Sequence, residues 1–570
     1  MNIQSVNGFK GIDGRLEFKD SISYATDMRN LYITQSGAMK KRPSVMHEFI
    51  LDNVIDGLFI GSLSGRDIIA AASGGYLFVR DRDSDEAPKN AGFIGRGECM
   101  AFIFNGLLYL KTDECYKKYD GSRLSEVSGY VPTVAISCNP DGSGTLFEQI
   151  NVLTPKRRQT FSGDGVSVLY HLSEKGVEAI ESLIINGVPY EGNYSLDLVN
   201  DAVSFEFPPD SGLNNVEIIY RMPAEKCQKD RFFGCTRIML FGGNSDGRAF
   251  LWGNENYPNY RFHSDLANGT PSVEYFPENA YTVIGADKIN CIVQQYDRQL
   301  IFTENSAFYS YCELKTDALG NVISSFPVFS LNGSKGCLIE TDGCVIDNRP
   351  VTLCDDGLNL WESTSLLNEK NATPFSLPID FFIREILTDL REINMLDFQA
   401  NRELWFIKSG IAYIYNYGNN AFYIYDGFGG SLFTATGSRM YYVSGGELLS
   451  FCYDDAERYT SDCIWESNFI KNSHTGGSAD VLSLEADIYI NGDVSVSFEI
   501  SDSSASFVRS FEFNDRSRLM RIFMRPSLKR VMPFKITIRV SGSGIFALHG
   551  ITIKTKQRER SKRHGILRCN

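Results

Sequence analysis

His263-Ser264-Asp265 sets the three residue types of a hydrolytic triad side by side. A triad needs nucleophile, base and orienting acid to face one another, which three consecutive residues cannot do. The G-x-S-x-G turn that presents a nucleophilic serine is also missing from the sequence. Two further stretches approach the Ser-x-Asp-x-Gly-x-x-Trp box of sialidase propellers. Ser245-Asp246-Gly247-Arg248-Ala249-Phe250-Leu251-Trp252 lacks the spacer between Ser and Asp. Leu353-Cys354-Asp355-Asp356-Gly357-Leu358-Asn359-Leu360-Trp361 lacks the Ser and carries its Trp one position late. Both read as Asp-Gly hairpin turns followed by an aromatic strand. Among the 13 cysteines no C-x-x-C pair occurs. Cys337, Cys344 and Cys354, seven and ten apart, read as buried thiols rather than zinc ligands. No Gly-rich phosphate loop, H-E-x-x-H or EF-hand pattern is present. The expectation is a chain without catalytic, cofactor-binding or metal-binding residues, and not an enzyme.

The elements that would position such residues are short strands. Arg237 to Glu304 shows the grammar: an apolar run at 237–243, the turn Asn244-Ser245-Asp246-Gly247, a second run at 248–254, then Tyr260-Arg261-Phe262-His263-Ser264 and the runs at 289–293 and 299–303. Apolar runs of four to seven residues between Gly, Asn and Asp turns are antiparallel hairpins. The same pattern starts near Val54. It includes Met100-Ala101-Phe102-Ile103-Phe104 joined by Asn105-Gly106 to Leu107-Leu108-Tyr109-Leu110, and it recurs at 355–361, 401–407, 411–425 and 440–450. Tyr119-Asp120-Gly121 and Tyr425-Asp426-Gly427 close two of these passes. Irregular units recurring every 35–60 residues or so point to the blades of a β-propeller, with a large irregular sandwich as the alternative. Its first and last passes, 55–80 and 440–450, are expected to meet and remove exposed sheet edges.

The chain divides accordingly. Residues 1–50 form an N-terminal strand or platform segment, in which Lys40-Lys41-Arg42 beside Pro43 reads as a solvated strand end. Residues 51–130 and 223–460 form the propeller. Residues 131–222, with Asn186-Gly187 among their turns, interrupt it as a small inserted β-sandwich, a placement that costs little closure entropy. Phe382, Ile383, Ile386, Leu387 and Leu390 share one helical face within 379–390 and read as a brace against the core. Residues 461–555 carry longer alternating strands, joined by turns at Asn491-Gly492-Asp493 and Ser541-Gly542-Ser543-Gly544, and read as a C-terminal β-sandwich of jelly-roll type. Residues 556–570 are a basic tail. The fold class is mainly β.

With 570 residues the chain is too long for one core. Its 70 acids against 56 bases give a net charge of -14, which argues against gripping duplex DNA through a basic surface. An acidic wall can still repel DNA within a passage. The cysteine pattern points to folding in a reducing cytosol. The start lacks the basic and apolar regions of a signal peptide, and no run is long enough to form a membrane helix.

Three stretches resemble one family. Asn30 followed by Gly37-Ala38-Met39-Lys40-Lys41-Arg42-Pro43 resembles the N-terminal signature of bacteriophage tail proteins. Trp252-Gly253-Asn254, Pro258-Asn259, Tyr260 to Ser264, Tyr275-Phe276-Pro277 and Val283-Ile284-Gly285 resemble that family's most recognisable region. The insert, with its turns at 161–165 and Asn186-Gly187-Val188, looks like a small β module grafted onto tail proteins. The family is the tail nozzle proteins of short-tailed phages, also called tail tubular protein B, with prophage stabilisation proteins near it. The resemblance implies a structural protein of the virion, assembled in the host cytoplasm. It would form a homo-oligomeric ring of six subunits below the portal and adaptor proteins, with tail fibres or spikes docked outside and viral DNA passing through the lumen without sequence-specific binding. It transfers no catalytic residue. Lys40-Lys41-Arg42 and Arg558 to Arg563 would then lie at interfaces or outside the channel. A propeller that binds or hydrolyses surface glycan is the alternative.

Overall fold

A computed structural model describes residues 1–15, 22–243, 246–316, 322–362, 371–454, 458–460, 462–470 and 478–558. The chain is nearly all β, built of many small antiparallel sheets. Its described helices of the α type are two short ones, Asp230–Phe233 and Asp380–Ile386. The residues group into two compact units, one running from Asp56 to Asp342, the other made of Met1–Ile55 with the chain from Gly343 onward.

In the unit from Asp56 to Asp342, four four-stranded sheets follow one another in sequence order, two before the inserted segment and two after it. The first comprises Ile55–Leu63, Arg66–Ser73, Tyr76–Asp81 and Lys89–Phe93. In the second, Met100–Phe104 turns into Leu107–Lys111 through Asn105 and Gly106 at φ 48° and 76°, the left-handed pair that a two-residue hairpin needs. Arg237–Gly243 pairs with Asp246–Trp252 as the turn chemistry implies, although residues 244 and 245 of that turn lie outside the described residues.

Residues 133–221 fold on their own core. A six-stranded and a three-stranded sheet bury Phe161, Tyr170, Val203, Phe205, Val216, Ile218 and Tyr220 together. Lys156–Gly163 alternates buried and half-buried positions along its whole length, the period-2 signature of a strand with one face in a core. Tyr170 meets Phe161 and Phe205 edge to face at 5.4 and 5.3 Å. Each fully buried aromatic contributes on the order of 2–3 kcal/mol.

The second unit holds three more four-stranded meanders. Cys344–Ile346, Arg349–Cys354, Gly357–Trp361 and Ala372–Pro374 form one, with the Asp355-Asp356 turn where an Asp-Gly hairpin was expected. Ile393–Phe398, Glu403–Lys408, Ile411–Asn416 and Ala421–Asp426 form another. The third, Ser431–Thr436, Arg439–Ser444 and Glu447–Cys452, is completed by the N-terminal strand Met46–Ile50. The strand that pairs beside 440–450 is therefore Met46–Ile50, and just after it the Ile55 N–H donates to the Gly445 carbonyl at 2.9 Å.

The C-terminal strands do not stand apart from the N-terminus. Asn2–Val6 and Met39–Lys41 both pair with Ile545–Gln557, and Ala25–Arg29 pairs with Cys463–Ser467. Through Arg29 opposite Ile424 the meander 393–426 joins the same 13-stranded sheet. The expected turn at Asn491-Gly492-Asp493 is a bulge inside one 23-residue strand, Ala479–Ser501. Gly492 sits at φ 83°, and a Cβ on Gly544 would lie 2.5 Å from the Asn491 carbonyl oxygen, so a distant glycine loop packs into the bulge. The helix read at 379–390 ends at Ile386, with Ile383 and Ile386 buried as expected of a brace. It stops there because Asp389 accepts the Arg391 backbone N–H and pairs with its guanidinium, turning the chain.

Candidate functional site

The N-terminal signature builds a buried polar bracket. Asn30 lies at φ 57°, a left-handed conformation that Asn tolerates. Its Oδ1 accepts from the Arg42 Nε at 2.9 Å and from the Asp426 backbone N–H at 3.1 Å. The Arg42 guanidinium also donates to the carbonyls of Pro43 (2.9 Å) and Asp426 (2.7 Å) and lies over the rings of Tyr425 and Phe428. Lys41 donates to the Gly542 carbonyl at 2.6 Å. Lys41 is 1% and Arg42 5% exposed, so the solvated strand end expected at Lys40-Lys41-Arg42 holds for neither. A buried cation persists when fixed acceptors replace its water, and here five backbone and side-chain groups converge to do so.

This bracket runs on into a buried acid. The Tyr425 hydroxyl lies 2.7 Å from that of Tyr453, which donates to Glu403 at 3.1 and 3.2 Å. Tyr423 and the Trp405 indole N–H donate to the same carboxylate. Burial pushes Glu403 up to about 7, although these donors pull the other way. Burial likewise lifts Asp397 to about 6, against the Tyr417 hydroxyl that donates to it at 3.0 Å. Glu403 is 2% exposed, so its ionisation acts on the fold rather than on a molecule arriving from solvent.

In the other unit His263, Ser264 and Asp265 each serve a different partner. The His263 Nδ1 lies 3.0 Å from the Ser264 carbonyl, the Ser264 hydroxyl accepts the Ala249 N–H at 3.0 Å, and Asp265 pairs with Arg248. Burial pushes the His263 imidazole down to about 4. Beside it the buried Arg261 spans Gln299 (2.6 Å) and the Phe326 carbonyl (2.9 Å) while lying over the Phe250 ring. Desolvation draws that guanidinium down to about 9. These groups cross-tie neighbouring strands.

The other stretches that carry the resemblance also fix chain crossings. Asn254 donates to the Asp230 carbonyl at 2.8 Å, and Asn259 to that of Gly285 at 3.0 Å. The Phe276 N–H donates to Asn151 Oδ1, whose amide nitrogen donates to the carbonyls of Tyr130 and Glu274. Asn151, fully buried, thus ties the root of the inserted segment to Tyr275-Phe276-Pro277.

Ten of the 12 described cysteines are buried and none is bonded to another. Among the described residues no group of three or more His, Cys, Asp or Glu could hold a metal ion, and no helix is long and apolar enough to cross a membrane. The cleft of about 310 Å³ between the first two sheets is lined by Arg66, Lys89 and Glu86 among others. Arg66 is committed to the Gly121 carbonyl (3.0 Å) and Lys89 to Glu86 (3.2 Å).

One surface was missed in the sequence. Ser506–Met524 pairs along its whole length with Ala479–Ser501, and among the described residues no strand covers its other edge. Residues 506–530 carry seven bases against two acids in a chain of net charge -14. The sign contrast with the rest of the chain is the signal that marks this stretch in the sequence. Of the expected basic tail, Lys556 and Gln557 end the strand Ile545–Gln557, Arg558 pairs with Asp480 at 2.8 Å, and residues 559–570 lie outside the described residues.

No family model matches this chain, and no curated protein matches it. Among solved structures, BBS1N in complex with ARL6DN is similar over 73% of this chain and 99% of its own, at 9% identity and a TM-score of 0.26. The extracellular domain of the one component system BT4673 from B. thetaiotaomicron matches over 92% and 98%, at 10% identity and a TM-score of 0.20. An exo-beta-1,3-galactanase from Phanerochaete chrysosporium matches over 80% and 95%, at 10% identity and a TM-score of 0.16. At such scores none of these likenesses carries an argument about function.

Proposed function

We propose that this chain is a structural protein of a bacteriophage tail, a subunit of the nozzle ring below the portal and adaptor through which DNA is ejected. The observation that supports this most is the use made of the residues that resemble the nozzle family. Asn30, Arg42, Asn254, Asn259 and Tyr275-Phe276 are spent on hydrogen bonds and packing that hold chain crossings in place. Such residues serve a mechanical part rather than chemistry on a substrate.

In this reading the seven four-stranded meanders are blades of an irregular β-propeller, and the strand Met46–Ile50 latches the last of them. Residues 131–222 are an inserted sandwich, and residues 461–555, with the N-terminal strands, are the C-terminal one. Six copies close a ring in the virion, fibres or spikes dock outside, and the chain is not an enzyme. DNA slides through a lumen that is acidic or neutral, because rows of cations would hold phosphates. The excess of 37 acids over 24 bases in residues 56–342 fits such a wall.

Electron microscopy of the purified protein tests this. Closed rings with a channel wide enough for duplex DNA are expected. Particles that remain single copies at every concentration and are retarded on a glycan resin would overturn it in favour of a glycan-binding propeller.

A further inference from the structure

We propose that the edge strand Ser506–Met524 of one copy docks against the acidic, apolar tip of the 131–222 segment of a second copy of this chain, in a head-to-tail contact that repeats around an assembly. The proposal rests on the ring reading above and names the two faces that would meet.

The first face is a long strand edge. Nineteen residues in extended conformation present a row of backbone groups about 60 Å long. An open edge of that length invites pairing, and folded proteins commonly guard one with cations. Arg509, Arg518 and Arg525, all exposed, fit such a guard, while Arg521 is paired with Asp487 at 2.6 Å. A guard alone does not account for Val508, Leu519 and Phe523, all well exposed, with Leu519 at 67%. They stand opposite Glu499, Tyr489 and Glu485, on the face away from the buried Ile488, Ile490, Val496 and Phe498. Arg509 and Arg518 stand opposite Phe498 and Ile490, so the strand offers positive charge on one face and apolar area on the other, both beside its open edge.

The second face has the opposite charge and the same apolar character. Residues 163–168, 191–194 and 206–213 are gathered at one end of the inserted segment. Gly163 lies opposite Gly212, and the Asn215 side chain accepts the Gly163 N–H and donates to the Asp210 carbonyl, both at 2.8 Å. The Asn193 amide donates to Glu206 at 2.7 Å, and the Phe205 N–H donates to the Val168 carbonyl at 2.8 Å. On this tip Val166, Phe207 and Leu213 are exposed, Phe207 at 70% and Leu213 at 81%. Asp164, Glu191, Glu206 and Asp210 surround them, and the three loops contain no Lys, Arg or His. Exposed apolar side chains gathered in this way mark an interaction surface.

Charge decides which faces meet. Edge-to-edge pairing of two Ser506–Met524 strands would set arginines against arginines, and tip against tip would set carboxylates together; both are unfavourable. Edge against tip is complementary. Because those faces are different parts of one chain, the contact can occur twice in a two-fold dimer or repeat head to tail into a ring or a filament, and the ring reading selects the second.

Sedimentation velocity on four preparations tests this: the native chain, an edge variant (Arg509→Glu with Arg518→Glu), a tip variant (Glu191→Lys with Asp210→Lys), and an equimolar mixture of the two variants. The native chain should assemble, and each variant alone should lose on the order of tenfold or more in self-association. Mixing should restore assembly, because the native edge of one variant then meets the native tip of the other and the two reversed faces meet in turn. Recovery on mixing also shows that both variants are folded. Should neither reversal affect assembly, or should both abolish it without recovery on mixing, this pairing is wrong while the ring reading stands. A native chain that stays a single copy throughout would overturn both.

Discussion

Lys40-Lys41-Arg42 and the arginines of Ser506–Met524 are two cation-rich stretches whose surroundings are opposite. Lys41 and Arg42 are buried among carbonyls, an asparagine and two aromatic rings. Arg509 and Arg518 stand on an exposed strand edge. The difference lies in what the fold brings to each guanidinium. Around Arg42 the acceptors are fixed before the cation arrives, so its lost hydration is replaced. Along the edge Arg521 pairs with Asp487, but Arg509 and Arg518 stay exposed, and their charge can meet another molecule. The first stretch holds one chain together, and the second is available for joining chains.

The largest effect expected from this contrast is at Arg42. Arg42→Met leaves the Asn30 oxygen and the carbonyls of Pro43 and Asp426 short of a donor, so a loss of roughly 3–5 kcal/mol is expected in denaturant unfolding. Arg518→Ala should leave the melting midpoint within about 2 °C of the native value. Equal losses at the two positions would erase the distinction. Asn151 repeats the bracket device in the other unit. Asn151→Leu removes four hydrogen bonds, made to Tyr130, Glu274, Leu153 and Phe276, and should cost about 3 kcal/mol by the same measurement. A change under about 1 kcal/mol would show that water replaces the amide there.

A smaller effect, sharper in its signature, belongs to Glu403. Its carboxyl titrates near 7 in the fold, above its ordinary value of 4.5. Between those values the folded state keeps a proton that the unfolded chain has released, so this group favours folding most below about 4.5 and progressively less up to about 7. Glu403→Gln should flatten that part of the pH dependence. At acid pH, where the native carboxyl is itself protonated, the amide can stand in for it, its oxygen accepting from the Trp405 N–H. An unchanged slope of melting midpoint against pH across that window would contradict the assignment.

Much of the local structure was legible because its causes are local. Asn105-Gly106 and Asn186-Gly187 demand left-handed backbone, and both are two-residue hairpin turns. Burial of Arg42 was not legible, because the acceptor at Asp426 lies 384 residues away, and that of Lys41 at Gly542 lies 501 away. The Asn491-Gly492-Asp493 bulge misled for the same reason on a shorter scale: the glycine loop that packs into it, at 542–544, comes about fifty residues later in the chain. Residues 1–50 read as a separate segment because their strands complete sheets whose other members lie near the far end of the chain. The candidate docking faces were half legible. Turn signals at 161–165 marked one loop of the tip, but its union with 206–213 depends on long-range pairing.

Hydrogen exchange of the assembled protein, compared with the dilute single copy, tests the contrast between the two stretches most directly. Amides of Ser506–Met524, together with residues 163–168 and 206–213, should gain protection on assembly, while those of the Asn30 and Arg42 bracket should be protected equally in both states. Fast exchange of the edge strand in the assembled protein, or a bracket that becomes protected only on assembly, would contradict the account.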